Sequence, residues 1–287
     1  MPELPEVETI RRGLQKHLVE DTIEEIVLRR NDIICGEADD FVASVTGRRV
    51  VGTGRRGKVL WLELDNGAGI GVHLRMSGRL LLVPGTAQAP GHTHLIAKLS
   101  SGRQLLYADT RRFGRLELLD LRHLDDVVLL RNIGPDALSD ELNSEYLLKA
   151  AACHGIGIKA FLLDQSHISG IGNIYVCEIL HHTGLHPATP ARRVTPEEMS
   201  HLLKVTREVL EEAIDHGGTT LADGGYENAL GEWGAYRQML HVYGREGEQC
   251  QAEGCCGEIV ALKMAGRTTY LCPVCQAKGK RRAARKP

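Results

Sequence analysis

Residues 58–74 read Lys58-Val59-Leu60-Trp61-Leu62-Glu63-Leu64-Asp65-Asn66-Gly67-Ala68-Gly69-Ile70-Gly71-Val72-His73-Leu74. Two apolar runs, Lys58–Leu64 and Gly69–Leu74, flank Asp65-Asn66-Gly67. An Asn-Gly pair tolerates the left-handed backbone of a tight turn, so the stretch predicts a β-hairpin. Similar short runs follow at Gly78–Val83, His94–Leu99 and Arg103–Tyr107, the last two joined by Ser100-Ser101-Gly102. Many short strands between about residues 22 and 119 predict a β-sandwich or barrel. No self-similar period of a solenoid is present.

Outward from this β region the pattern turns helical. Residues 3–19 predict a helix: Pro5 suits a first turn, Glu6 and Glu8 suit the positive end of the helix dipole, and Val7, Ile10, Leu14 and Leu18 line one face. On the other side, Asp120–Ser144 reads as a connector, with a turn at Gly134-Pro135-Asp136. Glu145–Gly217 reads as helical. Within it, Thr195-Pro196-Glu197-Glu198 is a helix start with a capping-box glutamate, and Gly217-Gly218 is a stop. Leu202, Val205, Val209 and Ile214 contribute to the buried face. Ala222–Gly234 reads as a loop, and the basic tail Lys278, Lys280, Arg281, Arg282, Arg285 and Lys286 as disordered.

At 287 residues the chain is long enough for two domains and a small module. Its 43% hydrophobic and 25% charged content is that of a soluble globular protein, while 4% aromatic residues leave a core of Leu, Val, Ile and Ala. A net charge of −2 means that a nucleic-acid partner would require positive charge gathered on one face. No apolar run is long enough to span a membrane, and the acidic start lacks a secretory signal pattern.

Eight cysteines are present. Cys35, Cys153 and Cys177 are scattered, as expected of a reducing cytoplasm. Cys250 and Cys255 form C-x4-C, and Cys272 and Cys275 form C-x2-C. Four thiolates in that pattern predict one structural Zn2+ site. Cys256 is an alternative to Cys255, which we prefer as the ligand. The stretch Ile259–Tyr270 has hairpin character with Gly266 at its turn, and Arg267 beside it is either a phosphate contact or a solvated charge.

The chain opens Met1-Pro2-Glu3-Leu4-Pro5-Glu6-Val7-Glu8. Removal of Met1 leaves a proline with a free secondary amine. Such an amine can attack an electrophilic carbon, and its pKa of about 7.7–8.0 leaves a useful fraction unprotonated at neutral pH. Glu3, Glu6 and Glu8 are nearby proton donors, acceptors or orienting groups. The plainer alternative is a chain start followed by a helix. Lys58, after Arg55-Arg56-Gly57, is a phosphate ligand or a strand-edge charge. Met76 and the run Arg111-Arg112-Phe113-Gly114 are either core residues or loop tips that wedge between bases while arginine fills a vacated space. Ile158–Asp164, a glycine-bearing turn, and Ile174–His181 read as helix–turn–helix. There Asn173 is expected at the helix N-cap, aiming donors at an anion, or simply as a cap.

The ordered motifs PELPEVE, GKVLWLEL, HLRMSG, DTRRFG, IKAFLLD with SGIGNIY, GGTTL, VYGR and the cysteine finger resemble the formamidopyrimidine-DNA glycosylase family, from Pro2 to Gln276. The resemblance implies an α+β multidomain fold. Residues 1–130 would form an N-terminal β-sandwich with flanking helices, 131–236 a helix–two-turn–helix domain, 237–277 a zinc-finger β-hairpin, and 278–287 the tail. It implies a base-excision-repair enzyme, a monomer on double-stranded DNA carrying an oxidised purine or an abasic site, with no catalytic metal or organic cofactor. Residue by residue, it implies Pro2 as nucleophile, Glu3 as catalytic acid and Lys58 as phosphate clamp and proton donor. Met76, Arg111 and Phe113 would fill the gap and wedge the opposite strand. His94, Arg111, Asn173, Tyr243 and Arg267 would contact DNA, and Glu6 would help hold the lesion pocket.

The chain departs from the family pattern at Ala222, where a basic residue is common, through the stretch to Tyr236, and at Thr110, where proline is common. Leu4 favours the oxidised-purine enzymes over the sister endonuclease VIII family, which has glycine there and prefers oxidised pyrimidines. A non-catalytic DNA-binding protein is the alternative of a different class.

Overall fold

The computed structural model describes residues 1–221, 224–264 and 266–278. Ala222 and most of the basic tail, residues 279–287, lie outside the described residues. The chain divides into two compact units. One comprises Met1–Asn132 with Ala213–Arg237, the other Ile133–Glu212 with the chain from Gln238 onward.

The first unit begins with α1 (Leu4–His17). It continues through β1 (Ile23–Leu28), β2 (Ile34–Cys35), α2 (Ala38–Val45), β3 (Val50–Arg56), β4 (Val59–Leu64), β5 (Ala68–His73), β6 (Gly78–Pro84), β7 (Thr93–Leu99), β8 (Arg103–Asp109) and β9 (Arg115–Asp120). A four-stranded sheet has the order β1-β7-β8-β6, and a five-stranded sheet the order β2-β9-β5-β4-β3. One apolar cluster draws on both: Ile23, Leu80, Leu82, Leu95, Ala97 and Leu105 from the first, Leu60, Leu62, Ile70, Val72 and Leu116 from the second. That shared core makes the unit a β-sandwich.

Period-two alternation explains which side chains enter that core. In β4, Leu60, Leu62 and Leu64 point inward, while Trp61 lies on the other face across Gly54. A Cβ on Gly54 would fall 2.2 Å from the Trp61 ring, so only glycine fits there. The β4–β5 hairpin turns at Asp65-Asn66-Gly67 as expected. Gly67 has φ 80°, and Asn66 Oδ1 accepts the Ala68 amide at 3.1 Å. The buried face of α1 carries Val7, Ile10 and Leu14, with Leu18 as its buried C-cap.

The second unit contains α3 (Ser144–Ala151), α4 (Ile158–Leu163), α5 (Asn173–Thr183), most of α6 (Pro196–Asp215), and the hairpin β10 (Val260–Met264) with β11 (Arg267–Leu271). The predicted capping box is present. Thr195 N donates to Glu198 Oε2 at 2.9 Å, and Glu198 N to Thr195 Oγ1 at 3.2 Å. Gly217 and Gly218, with φ 74° and 81°, end the run in left-handed backbone. Among the described residues, no helix is long and apolar enough to cross a membrane.

Candidate active site and nucleic-acid interface

The N-terminus is held by the helix it starts. Glu3 is the N-cap of α1, and its amide donates to Glu6 Oε2 at 2.7 Å. The other Glu6 oxygen accepts the Thr219 amide at 2.7 Å. Tyr226 closes the arrangement by donating to Gly217 O at 3.1 Å and Glu6 O at 3.4 Å. Burial pushes the Tyr226 phenol well above its ordinary range, and the Glu6 charge adds to this, so the hydroxyl stays a donor. A Cβ on Gly218 would sit 3.0 Å from Glu6 Oε1, so glycine permits this approach. Pro2, Glu3 and Glu6 are thereby buried at one fixed end, with exposed Met1 preceding them.

Glu8 is the next carboxylate along. Burial works against its charge, but the Arg11 and Arg55 guanidinium groups outweigh it and bring its pKa down to about 2. It accepts from Arg11 at 2.8 Å, Arg55 at 2.9 Å and Arg12 at 3.0 Å, so it serves an ion-pair network and is not a proton donor at neutral pH. Lys58 is buried immediately before β4. Burial, with the charges of Arg75 and Lys58, pushes His73 down to about 3. Its neutral Nδ1 accordingly accepts the Arg75 amide at 3.1 Å.

Arg75 and Arg112 each have φ 55°, the left-handed region that costs a non-glycine residue of order 1–2 kcal/mol. Each immediately precedes an exposed apolar side chain, Met76 at 43% and Phe113 at 53% exposure. Neither is a core residue. The Arg111 guanidinium links them. Its Nη1 lies 3.3 Å from Met76 Sδ, and its carbon 5.6 Å from the Phe113 ring centre. Two loops remote in sequence therefore present one apolar and cationic cluster.

Asp109, which sequence reading did not single out, lies beneath both loops. It accepts Ser77 Oγ at 2.5 Å, the Arg111 amide at 3.1 Å and the Gly114 amide at 2.8 Å. His94 is buried behind it, with Nε2 2.8 Å from the Asp109 carbonyl oxygen. Its sequence signal was its place as the first residue of the DTRRFG motif, just before the arginines.

In the second unit, Asn173 is the first residue of α5 and Gly172 is the N-cap, one position earlier than expected. Glycine at 172 takes the extended cap conformation and frees the Asn173 side chain for other bonds. Its Oδ1 accepts from buried Lys159 Nζ at 2.8 Å, and its Nδ2 donates to Thr268 O at 2.9 Å. Lys159 also donates to Thr269 Oγ1 at 2.6 Å, so that α4 and, through Asn173, the start of α5 are both tied to β11. Arg267, exposed, opens β11 opposite Met264. Tyr243 packs edge-on against Tyr270, with ring centres 5.0 Å apart. Its amide is one of three consecutive donors to the buried carboxylate of Glu178, with His241 at 2.8 Å, Val242 at 3.1 Å and Tyr243 at 2.8 Å. Burial raises the Glu178 pKa, opposed by those three bonds. Neither Lys159 nor Glu178 was legible as important, because helical periodicity reads a lone charge as solvated.

The Sγ atoms of Cys250, Cys255, Cys272 and Cys275 all lie within 4.8 Å of one another. Cys250–Cys275 is 3.8 Å, Cys255–Cys272 3.6 Å and Cys255–Cys275 3.4 Å. Tetrahedral Zn–S bonds of about 2.3 Å require S···S separations of about 3.8 Å, so the donor set fits a closed zinc site. Cys256 is exposed and outside the cluster, which resolves the choice in favour of Cys255. Amides of Gly257 and Cys275 point at Cys255 and Cys272 sulfurs at 3.3 and 3.4 Å, as donors to thiolates do.

A sandwich with a tethered N-terminus, a helical turn and a four-cysteine hairpin defines a class of DNA-repair glycosylase, and comparison with known proteins agrees. The family model for the formamidopyrimidine-DNA glycosylase N-terminal domain matches residues 1–116, and that for the H2TH domain of the same enzymes matches residues 133–224. The chain belongs to the formamidopyrimidine-DNA glycosylase family. It is 40% identical to the formamidopyrimidine-DNA glycosylase of Paracoccus denitrificans, covering 96% of this chain and 100% of that one. It is 41% identical to that of Desulfitobacterium hafniense, with the same coverage. Among solved structures it resembles the MutM (FPG) protein from Thermus thermophilus, with a TM-score of 0.87 at 36% identity over 97% of this chain and 100% of that one. It also resembles Lactococcus lactis Fpg in complex with DNA containing an abasic site, with a TM-score of 0.89 at 35% identity over 96% and 100%.

Proposed function

We infer that this chain excises oxidised purines from double-stranded DNA and then cuts the strand at the resulting abasic site. The observation that carries the reading is buried Pro2, next to Glu3, whose amide is held by the Glu6 carboxylate that also accepts from Thr219. An N-terminal proline amine, once Met1 is removed, is a nucleophile on a rigid support.

The lesion leaves the stack at a cost of a few kcal/mol, less for a damaged base. The Pro2 nitrogen attacks the sugar C1′ as the base departs, forming an iminium. That cation acidifies the C2′ proton, and the 3′ phosphate and then the 5′ phosphate are eliminated. Glu3 serves as the acid that opens the sugar ring, and Lys58 holds phosphate and supplies a proton during elimination. Met76, Arg111 and Phe113 enter the duplex as a wedge and fill the space left by the extruded nucleotide. In the second unit the phosphate backbone meets Arg267, Tyr243 and the N-terminal end of α5. The Asn173 side chain, engaged with Lys159 and Thr268, orients that start. His94 contributes through the loop it supports. Zinc held by Cys250, Cys255, Cys272 and Cys275 shapes the hairpin that carries Arg267 and takes no part in the chemistry.

Borohydride trapping on duplex DNA with 8-oxoguanine or an abasic site tests this. The protein lacking Met1 is expected to give a covalent adduct, and Pro2→Gly is expected to lose it while keeping affinity for the DNA. Comparable trapping by Pro2→Gly, or strand cutting by a chain that retains Met1, would exclude Pro2 as nucleophile. Binding with no adduct at all would instead indicate a non-catalytic binder.

A further inference from the structure

We propose that Asp109 is a positioning residue that latches the Met76 loop to the Arg111–Phe113 loop, so that the two enter DNA as one rigid wedge. The inference rests on the reading of Met76, Arg111 and Phe113 as that wedge. Asp109 ends β8 opposite Gly78 of β6, at the point where both loops leave the sheet. Its side chain is buried although the loops around it are exposed.

Both carboxylate oxygens accept bonds, and the donors come from both loops. Oδ1 takes Ser77 Oγ from the Met76 loop and the Arg111 amide from the other. The same Ser77 oxygen accepts that Arg111 amide at 3.1 Å, so Ser77 and Asp109 close one ring across the two loops. Oδ2 takes the Gly114 amide, just beyond Phe113, and lies 3.4 Å from the buried Tyr107 hydroxyl. A Cβ on Gly114 would strike the Tyr107 hydroxyl at 1.8 Å, so glycine is what lets that amide reach the carboxylate.

These bonds act where the backbone needs support. Arg75 and Arg112 hold left-handed conformations beside exposed Met76 and Phe113, whose side chains have no core to fix them. A loose wedge would lose conformational freedom on insertion and weaken the unstacking it drives. An asparagine at 109 has the same shape but offers one acceptor oxygen, and its amide group would face an N–H or a hydroxyl donor.

The test compares borohydride trapping on an abasic site in duplex DNA and in single-stranded DNA, with 2-aminopurine opposite the site reporting unstacking. Asp109→Asn is expected to slow duplex trapping about 10-fold or more and to suppress the 2-aminopurine rise, while single-strand trapping stays within about 2-fold. Ser77→Ala should show a smaller loss of about 5-fold on duplex, and Ser77→Thr, which keeps the hydroxyl, should recover it. If Asp109→Asn does not fold, the Ser77 pair reads the same latch. Equal losses on both substrates, or no duplex loss in either variant, would overturn the proposal. Met76→Ala with Phe113→Ala separates the two levels. If that pair leaves the 2-aminopurine signal intact, the wedge reading falls and the latch with it. If the pair abolishes the signal and Asp109→Asn and Ser77→Ala do not, the latch alone falls.

Discussion

Two buried carboxylates, one in each unit, hold the chain around them in opposite ways. Glu178 accepts three consecutive amides, His241 to Tyr243, and so fixes the path of one segment. Asp109 accepts from two loops far apart in sequence and so fixes them relative to each other. The sandwich has a large apolar core, and its exposed loops need only a local tie. The cysteine hairpin has little core of its own, and there the Glu178 cradle, the Lys159 bonds and the thiolate cluster substitute for packing. A buried carboxylate can therefore either guide one strand of chain or couple two, depending on where its donors originate.

The largest test of this contrast is metal removal. Chelation, or Cys272→Ser, should lower the stability of the second unit by several kcal/mol, on the order of 5, because metal binding is folding free energy in so small a module. Tryptophan emission, from Trp61 and Trp233 of the first unit, should change less than the second unit's amide-exchange protection. Cys256→Ser, outside the cluster, should stay within about 0.5 kcal/mol in the same melts. Equal effects of the two serine variants would break the assignment of ligands.

Next in size is Glu178→Gln. It should cost about 2–4 kcal/mol in urea unfolding, since at least one buried amide loses its acceptor. A cost below about 0.5 kcal/mol would mean that the 241–243 segment is held by something else.

The smallest effect expected is at Glu8, and it depends on pH. Its folded pKa of about 2 lies below the ordinary 4.5, so its contribution to stability is full above about 4.5 and is lost as pH falls toward 2. Glu8→Gln should be less stable than the parent at pH 7, with the gap closing at pH 2 to 3. A gap independent of pH would show that the Arg11 and Arg55 pairing contributes nothing.

Much of the fold was legible because its signals are local. Gly67 takes the left-handed backbone that the turn needs, Thr195 and Glu198 cap each other across one helical turn, and each cysteine pair is close in sequence. The candidate site was legible only in its residue types. Whether Met76 and Phe113 are core or surface depends on which strands leave the sheet beside them. The burial of His94 and its bond to the Asp109 carbonyl oxygen are likewise set by the fold. The one-residue shift at Asn173 follows from Gly172, which caps without a side chain.

By itself the sequence determined the strand-rich first part, the helical second part and the two cysteine pairs, because periodicity, capping and ligand spacing act over a few residues. Tertiary structure alone decided that Asp109 would lie under two loops, that Glu6 would bridge to Thr219, and that Lys159 would reach Thr269. Those bonds join residues from 32 to 213 positions apart. No local pattern encodes such a pairing: it forms only when the sheets and helices pack and buried polar groups must find partners away from water.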